Sequence, residues 1–436
     1  MPVGLYISVP FCRTKCTYCN FASDVFSRVV FEKYIARLCA EIEHAPETAH
    51  EMGGLFDHVA DTIYFGGGTP TLLDVSQLDR VFVNIRQNFA VQAGAEITLE
   101  CAPGTLSDAM IECFTRNGVN RVSLGVQSFV DQESRSVGRL HTRETILKDI
   151  ARLHSVGISN INVDLIAGLP HQTLQSWQQS LDDLIATGVP HASVYMLEVD
   201  EDSRLGRELI AGGQKYHAHF VPDEDLTADM YEAACEVLNP AGIQQYEISN
   251  FARPGFESKH NLKYWTRHPY LGFGVDAHSM LLADCAGTAL VDTARAGAAA
   301  LAEPALSDRP KGGSRMDPGE QSSPLGSTHS ALRFSNPEDL DEYLHCAPAK
   351  QTAIPPEAAL QETYFLGLRL TRGVRMQGIA AQFGEQAAAS TIISDCVRDG
   401  LMEQDGDFIR LTHKGRLLSN EVFERFLAPM SPCAAL

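Results

Sequence analysis

Over the first 200 positions, hydrophobic residues form short apolar runs separated by longer stretches with helical spacing. Residues 5–9, 62–65, 96–101, 121–126, 161–166 and 192–197 are near-continuous apolar runs, the pattern of parallel strands covered on both faces. Between them, 30–44, 76–89, 142–155 and 173–187 carry apolar residues three and four apart and predict amphipathic helices. Six β-α units in succession predict an α/β fold, a parallel sheet with outer helices, open or curled into a partial (β/α)6 barrel. A helix near 223–238 and an aromatic-rich run at 246–279 extend this globular part. From about 284 the chain turns to Ala, Gly, Pro and Ser, and 310–330 is nearly devoid of large apolar residues, which predicts a disordered insertion. Helical spacing returns at 336–344, 356–370 and 374–383. A short helix at 390–399, a hairpin at 401–411 and a helix at 413–427 follow, the order of a small winged-helix-like α+β domain. The expected division is a core over 1–225, its continuation over 226–283, the insertion over 284–332 and a C-terminal domain over 333–436.

In parallel-sheet folds ligands sit at the carboxyl ends of the strands. The polar oddities of this chain collect there. Cys12, Cys16 and Cys19 follow the first run, Gly66-Gly67-Gly68-Thr69-Pro70 the second, and Glu100 closes the third. Gln127-Ser128-Phe129 follows the fourth, Asp164, Gly168 and Pro170 stand at the end of the fifth, and Glu198 follows the sixth. One rim of the sheet is therefore the expected site.

Charge and composition narrow the classes of function. The formal net charge of −20 argues against a general nucleic-acid binder, which needs a basic footprint, and against docking on anionic lipid. No uncharged apolar stretch approaches the ~18 residues of a membrane span, and the N-terminus lacks the regions of a signal peptide. An odd count of eleven cysteines adds to the expectation of a cytoplasmic protein with reduced thiols. Cys39, Cys101, Cys113, Cys235, Cys346 and Cys396 are scattered, mostly in apolar patterns, and read as small core residues.

The triplet Cys12, Cys16 and Cys19, spaced C-x3-C-x2-C, is the exception. Thiolates suit iron–sulfur clusters or zinc, but a closed zinc site wants four ligands and none nearby completes the set. Three thiolates on a [4Fe–4S] cube leave one iron open for a ligand. The glycine turn by itself could be an ordinary strand-to-helix connection, and without a Lys it is no P-loop. Its glycines also let backbone approach a ligand closely and offer carbonyls to an ammonium. Glu100 and Asp164 could be helix caps or internal ion-pair partners, or could accept hydrogen bonds from both hydroxyls of a ribose. Arg139 could be a surface residue or a fork for a carboxylate.

The triplet resembles the signature of the radical S-adenosylmethionine (SAM) superfamily. With Leu5-Tyr6-Ile7, Gly66–Pro70, Leu99-Glu100, Gly125-Val126-Gln127-Ser128-Phe129, Gly138-Arg139-Leu140-His141 and Asp164–Pro170, it is similar to the HemN/HemW group. That group holds oxygen-independent coproporphyrinogen III dehydrogenases and heme chaperones, and the resemblance covers the chain apart from 284–332. It implies a [4Fe–4S] cluster on Cys12, Cys16 and Cys19, with SAM on the open iron. It also implies SAM contacts at Tyr6, Tyr18, Gly67, Gly68, Thr69, Glu100, Gln127, Arg139 and Asp164. Dehydrogenases look like C-x3-C-x2-C-x-C, whereas this chain has Phe21 at the last position, as the chaperones do. The stretches Tyr246–Ala252 and His260-Asn261-Leu262-Lys263-Tyr264-Trp265 resemble the chaperone signature. There His260 offers an imidazole for iron, and Tyr264 and Trp265 flat faces for a porphyrin, with a structural His–aromatic cluster as the alternative. The tail fits through Leu366-Gly367-Leu368-Arg369-Leu370 and Leu411-Thr412-His413-Lys414-Gly415.

Three positions depart from the group: Ser8 where His is usual, Asn20 for Asp, and Asp276 for Gly. Losing a His beside a cluster removes a lever on its potential. The resemblance implies a heme chaperone that binds heme, cluster and SAM and passes heme to an acceptor hemoprotein of the respiratory chain. It further implies an electron donor for the cluster and contact with membrane proteins without insertion. Two alternatives stand beside it: a radical SAM coproporphyrinogen III dehydrogenase, and a cluster-bearing protein that does not cleave SAM.

Overall fold

Each of the six runs forms a strand in the computed structural model, which describes residues 1–201, 203–283, 331–384 and 389–427. They are β1 (Pro2–Val9), β2 (Asp57–Gly67), β3 (Ala90–Cys101), β4 (Arg121–Gln127), β5 (Asn160–Ala167) and β6 (His191–Met196). They pair in parallel and in chain order, with Leu5 opposite Ile63, Ile63 opposite Ile97, Val122 opposite Ile161 and Asp164 opposite Ser193. The connecting helices Arg28–Glu51, Val75–Asn88, Asp108–Arg116, Arg143–Ser155 and Leu174–Thr187 include all four predicted ones. Local chemistry sets their ends: Thr142 and Ser107 cap from Thr145 and Met110 amides, Asp74 and Gln77 form a capping box, and Gly188 ends its helix at φ 73°.

The strands are apolar on one face only. Leu5, Ile7, Val9, Ile63, Phe65, Leu99, Val122, Leu124, Val163 and Leu165 are buried together with Leu38, Phe82, Phe114, Leu153, Trp177 and Leu181 of the helices. The alternate positions Thr62, Tyr64, Thr98, Glu100, Arg121, Ser123, Asn162, Asp164 and Ser193 are polar. The expectation of two apolar faces is corrected in this respect. The second face is not covered by the connecting helices but lines the hollow of the curled sheet, where hydrogen-bonded side chains and the short helix Lys259–Trp265 fill space.

Among the described residues the six parallel strands are the middle of a larger, 13-stranded sheet. Tyr270–Phe273 adds to β1 in parallel, and His278–Ala283, Ala331–Ser335 and Lys350–Ile354 continue it antiparallel. At the opposite side Asn250–Ala252 runs antiparallel to β6, and Gln244–Gln245 pairs antiparallel outside it. The segment expected as a disordered insertion lies outside the described residues except for Ala331 and Leu332, which begin a strand. Because 331–354 belongs to the main sheet, the chain enters its second core only with the helix Pro356–Leu368. That unit packs Leu360, Tyr364, Leu368, Ile393, Cys396, Ile409 and Phe426 around a three-stranded sheet of Val374–Arg375, Phe408–Leu411 and Met402–Asp405. It is joined to the barrel edge by Ile248 N to Arg369 O (3.1 Å), Thr371 N to Tyr246 O (3.0 Å) and the Arg369–Glu247 ion pair at 3.3 Å.

Trp177 is fully buried and its indole N–H donates to the Met230 carbonyl at 2.6 Å, tying two helices behind β5 and β6. Trp177→Phe is expected to cost about 1–2 kcal/mol by leaving that carbonyl unpaired, and Trp177→Ala about 3–5 kcal/mol. Urea unfolding of the variants checks both; equal losses would place the stabilisation elsewhere.

Candidate functional site

The loop after β1 carries the three cysteines, and backbone hydrogen bonds hold it at both ends and in the middle. Cys12 N donates to Asp24 O and Asp24 N to Pro10 O, both at 3.0 Å, and Phe11 bridges Asp24. In the middle Thr17 N donates to Val137 O (3.2 Å), Thr14 Oγ1 to Gly138 O (3.1 Å) and Leu205 N to Thr17 O (2.9 Å). All three cysteines are free and half-exposed. Burial pushes the Cys12 and Cys19 thiols up, which disfavours bare thiolates there and favours them once a cation is bound. Among the described residues no three His, Cys, Asp or Glu side chains stand round a point for a single ion. The fit of the triplet to a cluster rests on its soft donors, their spacing and the anchored loop.

The glycine turn lies against the same loop. Gly68 N donates to Val9 O and Thr69 N to Phe11 O, each at 2.8 Å. A Cβ on Gly68 would stand 2.7 Å from Phe11 O and 2.8 Å from Val9 O, so only glycine lets the turn close on β1. Gly67 adopts φ +97°, and a Cβ there would face Ser8 Oγ at 3.2 Å and the Tyr6 hydroxyl at 3.6 Å. Ser8 itself is buried, with its carbonyl accepting from Tyr34 Oη at 2.7 Å.

The carboxylates converge from the neighbouring strands. Glu100 Oε1 accepts from Tyr64 Oη at 2.8 Å, and a Cβ on Gly66 would lie 3.0 Å from it. Burial and the Asp164 charge push the Glu100 carboxyl up to about 7, against the pull of Tyr64, the Gly67 amide and Arg139. Burial also raises Asp164, which accepts from Ser123 Oγ (3.2 Å) and Asn162 Nδ2 (2.7 Å). Arg139 donates Nη2 to Tyr18 Oη at 3.2 Å, and its Nε is buried without a partner. A Cβ on Gly125 would stand 3.3 Å from Gln127 Nε2 and 3.4 Å from Arg139 Nη2, so this glycine leaves the two donors a shared open face. Gln127 is held in the left-handed region at φ 68°. An unpaired cationic donor, two carboxylates and a glycine cradle beside three thiols fit an amino acid joined to a nucleoside: ammonium at the turn, carboxylate at Arg139, hydroxyls at Glu100 or Asp164.

The structure brings Tyr6, Tyr18, Gly67, Gly68, Thr69, Glu100, Gln127, Arg139 and Asp164 to this rim. His260, Tyr264 and Trp265 lie apart from the cysteine loop, on the short helix Lys259–Trp265. His260 is 1% exposed; its Nδ1 meets Thr62 Oγ1 and its Nε2 meets Tyr264 Oη, both at 2.8 Å. Burial, with Lys263 and Arg121, lowers it to about 3, so it stays neutral. Its ring stacks on Tyr64 at 5.2 Å and lies 6.3 Å from Tyr6. Trp265 carries Arg369 at 4.3 Å over its ring. Sequence reading missed Tyr64, Ser123, Asn162 and Tyr195, which surround the carboxylates. The signal was their position, every second residue in runs scored only for apolarity.

A profile of the radical SAM superfamily matches residues 6–184, and one of the HemN C-terminal domain matches 354–418. The heme chaperone HemW of Lactococcus lactis is 30% identical over 98% of this chain and 97% of its own. That of Bacillus subtilis is 30% identical over 98% and 99%. That of Escherichia coli is 34% identical over 64% of this chain and 70% of its own. The solved coproporphyrinogen III oxidase HemN of Escherichia coli superposes with a TM-score of 0.75 at 23% identity, covering 98% of this chain and 90% of that one, which shows the fold.

The raised Glu100 carboxyl has a consequence for stability. Its folded pKa of about 7 exceeds its ordinary 4.5, so the folded state holds the proton more tightly. The stabilisation is complete below about 4.5 and is lost as pH rises through 7. Glu100→Gln is expected to remove this loss, so that the melting temperature of the variant falls less between those pH values than that of the wild type. Parallel slopes would show that Glu100 does not titrate in this window.

Proposed function

The chain belongs to the HemW family within the radical SAM superfamily, and from that membership we propose that it is a heme chaperone. It binds heme and passes it to an acceptor hemoprotein, in this reading one of the respiratory chain, from the cytoplasm. Among the described residues no helix is long and apolar enough to cross a membrane. The observation that carries the reading is likeness over the whole length to chains named heme chaperones. Phe21, 62% exposed where a dehydrogenase would have its fourth cysteine, agrees with it.

In this proposal Cys12, Cys16 and Cys19 hold a [4Fe–4S] cluster. The SAM contacts are Tyr6, Tyr18, Gly67, Gly68, Thr69, Glu100, Gln127, Arg139 and Asp164. When bound and reduced by an electron donor, cluster and SAM together supply one-electron chemistry. The chain's own residues bind and orient: Arg139 is charged at all working pH values and pairs a carboxylate. Tyr18 fixes that guanidinium through its hydroxyl. Glu100 and Asp164 take hydroxyl protons into hydrogen bonds, and the glycine turn leaves space against β1. Ser8 presents an Oγ that does not titrate beside Gly67. Resemblance to the chaperone signature offers His260 as an iron ligand, with Tyr264 and Trp265 against the porphyrin. A second reading, in which His260 is an internal peg, is favoured by the two hydrogen bonds that occupy both of its ring nitrogens.

Five measurements test this. Hemin titrated into purified protein is expected to give a Soret band saturating near one heme per chain; absence of binding overturns the chaperone reading. Protoporphyrinogen formed from coproporphyrinogen III under anaerobic reduction with SAM would establish the dehydrogenase instead. Reconstituted Cys12→Ala is expected to lose the visible iron–sulfur absorption and its bound iron. In cluster-loaded protein, Arg139→Leu is expected to weaken SAM binding by about 1.5–3 kcal/mol in calorimetry. His260→Ala that keeps its melting temperature but loses the Soret shift would assign ligation to His260; the reverse pattern makes it a peg.

A further inference from the structure

Three histidines outside the cysteine loop and the glycine turn share one corner of the same rim. His171 follows Asp164 through the end of β5, and His217 and His219 flank Ala218 in the loop after the helix Arg204–Ala211. His171 Nε2 and His217 Nδ1 are 3.1 Å apart, with the rings edge to face at 5.1 Å. Phe220 lies 4.0 Å from the His171 ring and 4.1 Å from the His219 ring, and is itself 47% exposed. The imidazoles are therefore grouped round an aromatic face open to solvent.

This corner is held in shape. The buried Glu208 accepts from the Tyr216 amide at 2.8 Å and the Ala218 amide at 3.3 Å, and His171 N donates to Phe220 O at 3.0 Å. The helix that carries Glu208 also donates Leu205 N to Thr17 O of the cysteine loop. His171 and His217 both adopt left-handed backbone, φ 71° and 62°, where a non-glycine residue is uncommon and costs energy. Imidazoles kept at two such positions, in contact with each other, point to a use for the side chains.

Resting on the heme reading above, we propose that this corner is a heme-docking site, with His171 or His217 as axial ligand to the iron and Phe220 against the porphyrin face. The His171–His217 contact uses one nitrogen of each ring and leaves His171 Nδ1 and His217 Nε2 outside it. Burial and the two neighbouring histidines lower His171, which keeps it neutral and able to ligate. Accessibility separates this corner from His260: cargo that must be handed over needs a ligand reachable by the acceptor, and His260 is 1% exposed with both nitrogens taken.

Left-handed backbone supplies the test. His171→Gly and His217→Gly remove the imidazoles at positions where glycine is at ease, so folding is expected to hold or improve. Full-length protein carrying both changes is titrated with hemin beside the wild type and His260→Ala, with melting temperature and cluster absorption followed in each. The double variant is expected to bind hemin about tenfold more weakly or worse and to lose the wild-type Soret position, with melting temperature and cluster absorption unchanged. Wild-type affinity and spectrum in the double variant, or their loss in His260→Ala with its fold intact, overturns the rim site and leaves the chaperone reading standing. A wild type that binds no hemin removes both.

Discussion

Charged and hydroxyl side chains buried along the inner face of a parallel sheet are costly unless each finds a partner, and the interior of this protein is arranged around that requirement. Asn162 Nδ2, with two protons to donate, lies 2.7 Å from Ser123 Oγ, 2.7 Å from Asp164 Oδ1 and 3.0 Å from Ser193 Oγ, and its Oδ1 meets His191 Nδ1 at 2.5 Å. Ser193 continues to Asn250, and His191 to the Tyr246 hydroxyl, so β4, β5, β6 and the strand Asn250–Ala252 share one network. The bond directions fix which way each side chain faces. Together they hold Asp164 at the open end of the barrel, while Tyr64 holds Glu100 beside it.

The same requirement explains why the site lies where it does. Towards the amino ends of the strands, Glu96 accepts from the amides of Lys259 and His260 and Lys263 pairs with Asp61 at 2.7 Å, while Arg121 Nε and Asn160 Oδ1 are buried without a partner. Towards the carboxyl ends, partnering is also incomplete. Arg139 Nε is unmet, and Glu100 is pushed up by burial and by Asp164. The helix Lys259–Trp265 thus fills the hollow near the amino ends, and the carboxyl ends keep a buried guanidinium and two buried carboxylates.

The fold was legible because its largest signal, apolar runs at strand length alternating with helical spacing, depends on local residue pattern. The cysteine triplet and glycine turn were legible because close spacing confines ligands and backbone within one loop. The inner polar face was only half legible, since Ser123, Asn162 and Tyr64 are small signals inside runs dominated by Val, Ile and Leu. The strands Ala331–Ser335 and Lys350–Ile354 were not legible as strands, and 333–354 was grouped with the C-terminal domain, because a long stretch of unpatterned sequence separates them from the sheet they join.

By itself, then, the sequence determined the β-α order, the rim on which the chemistry gathers, and a soft three-ligand set of the kind that holds a cluster. Each of these follows from residue type and from spacing over a few positions. Only the tertiary structure decided which residues meet across long separations. It set Arg139 against Tyr18, closed His260 between Thr62 and Tyr264, and gathered His171 with His217 and Phe220. Those contacts depend on how far the sheet curls and on where loops return, which no local pattern of hydrophobic and polar positions encodes.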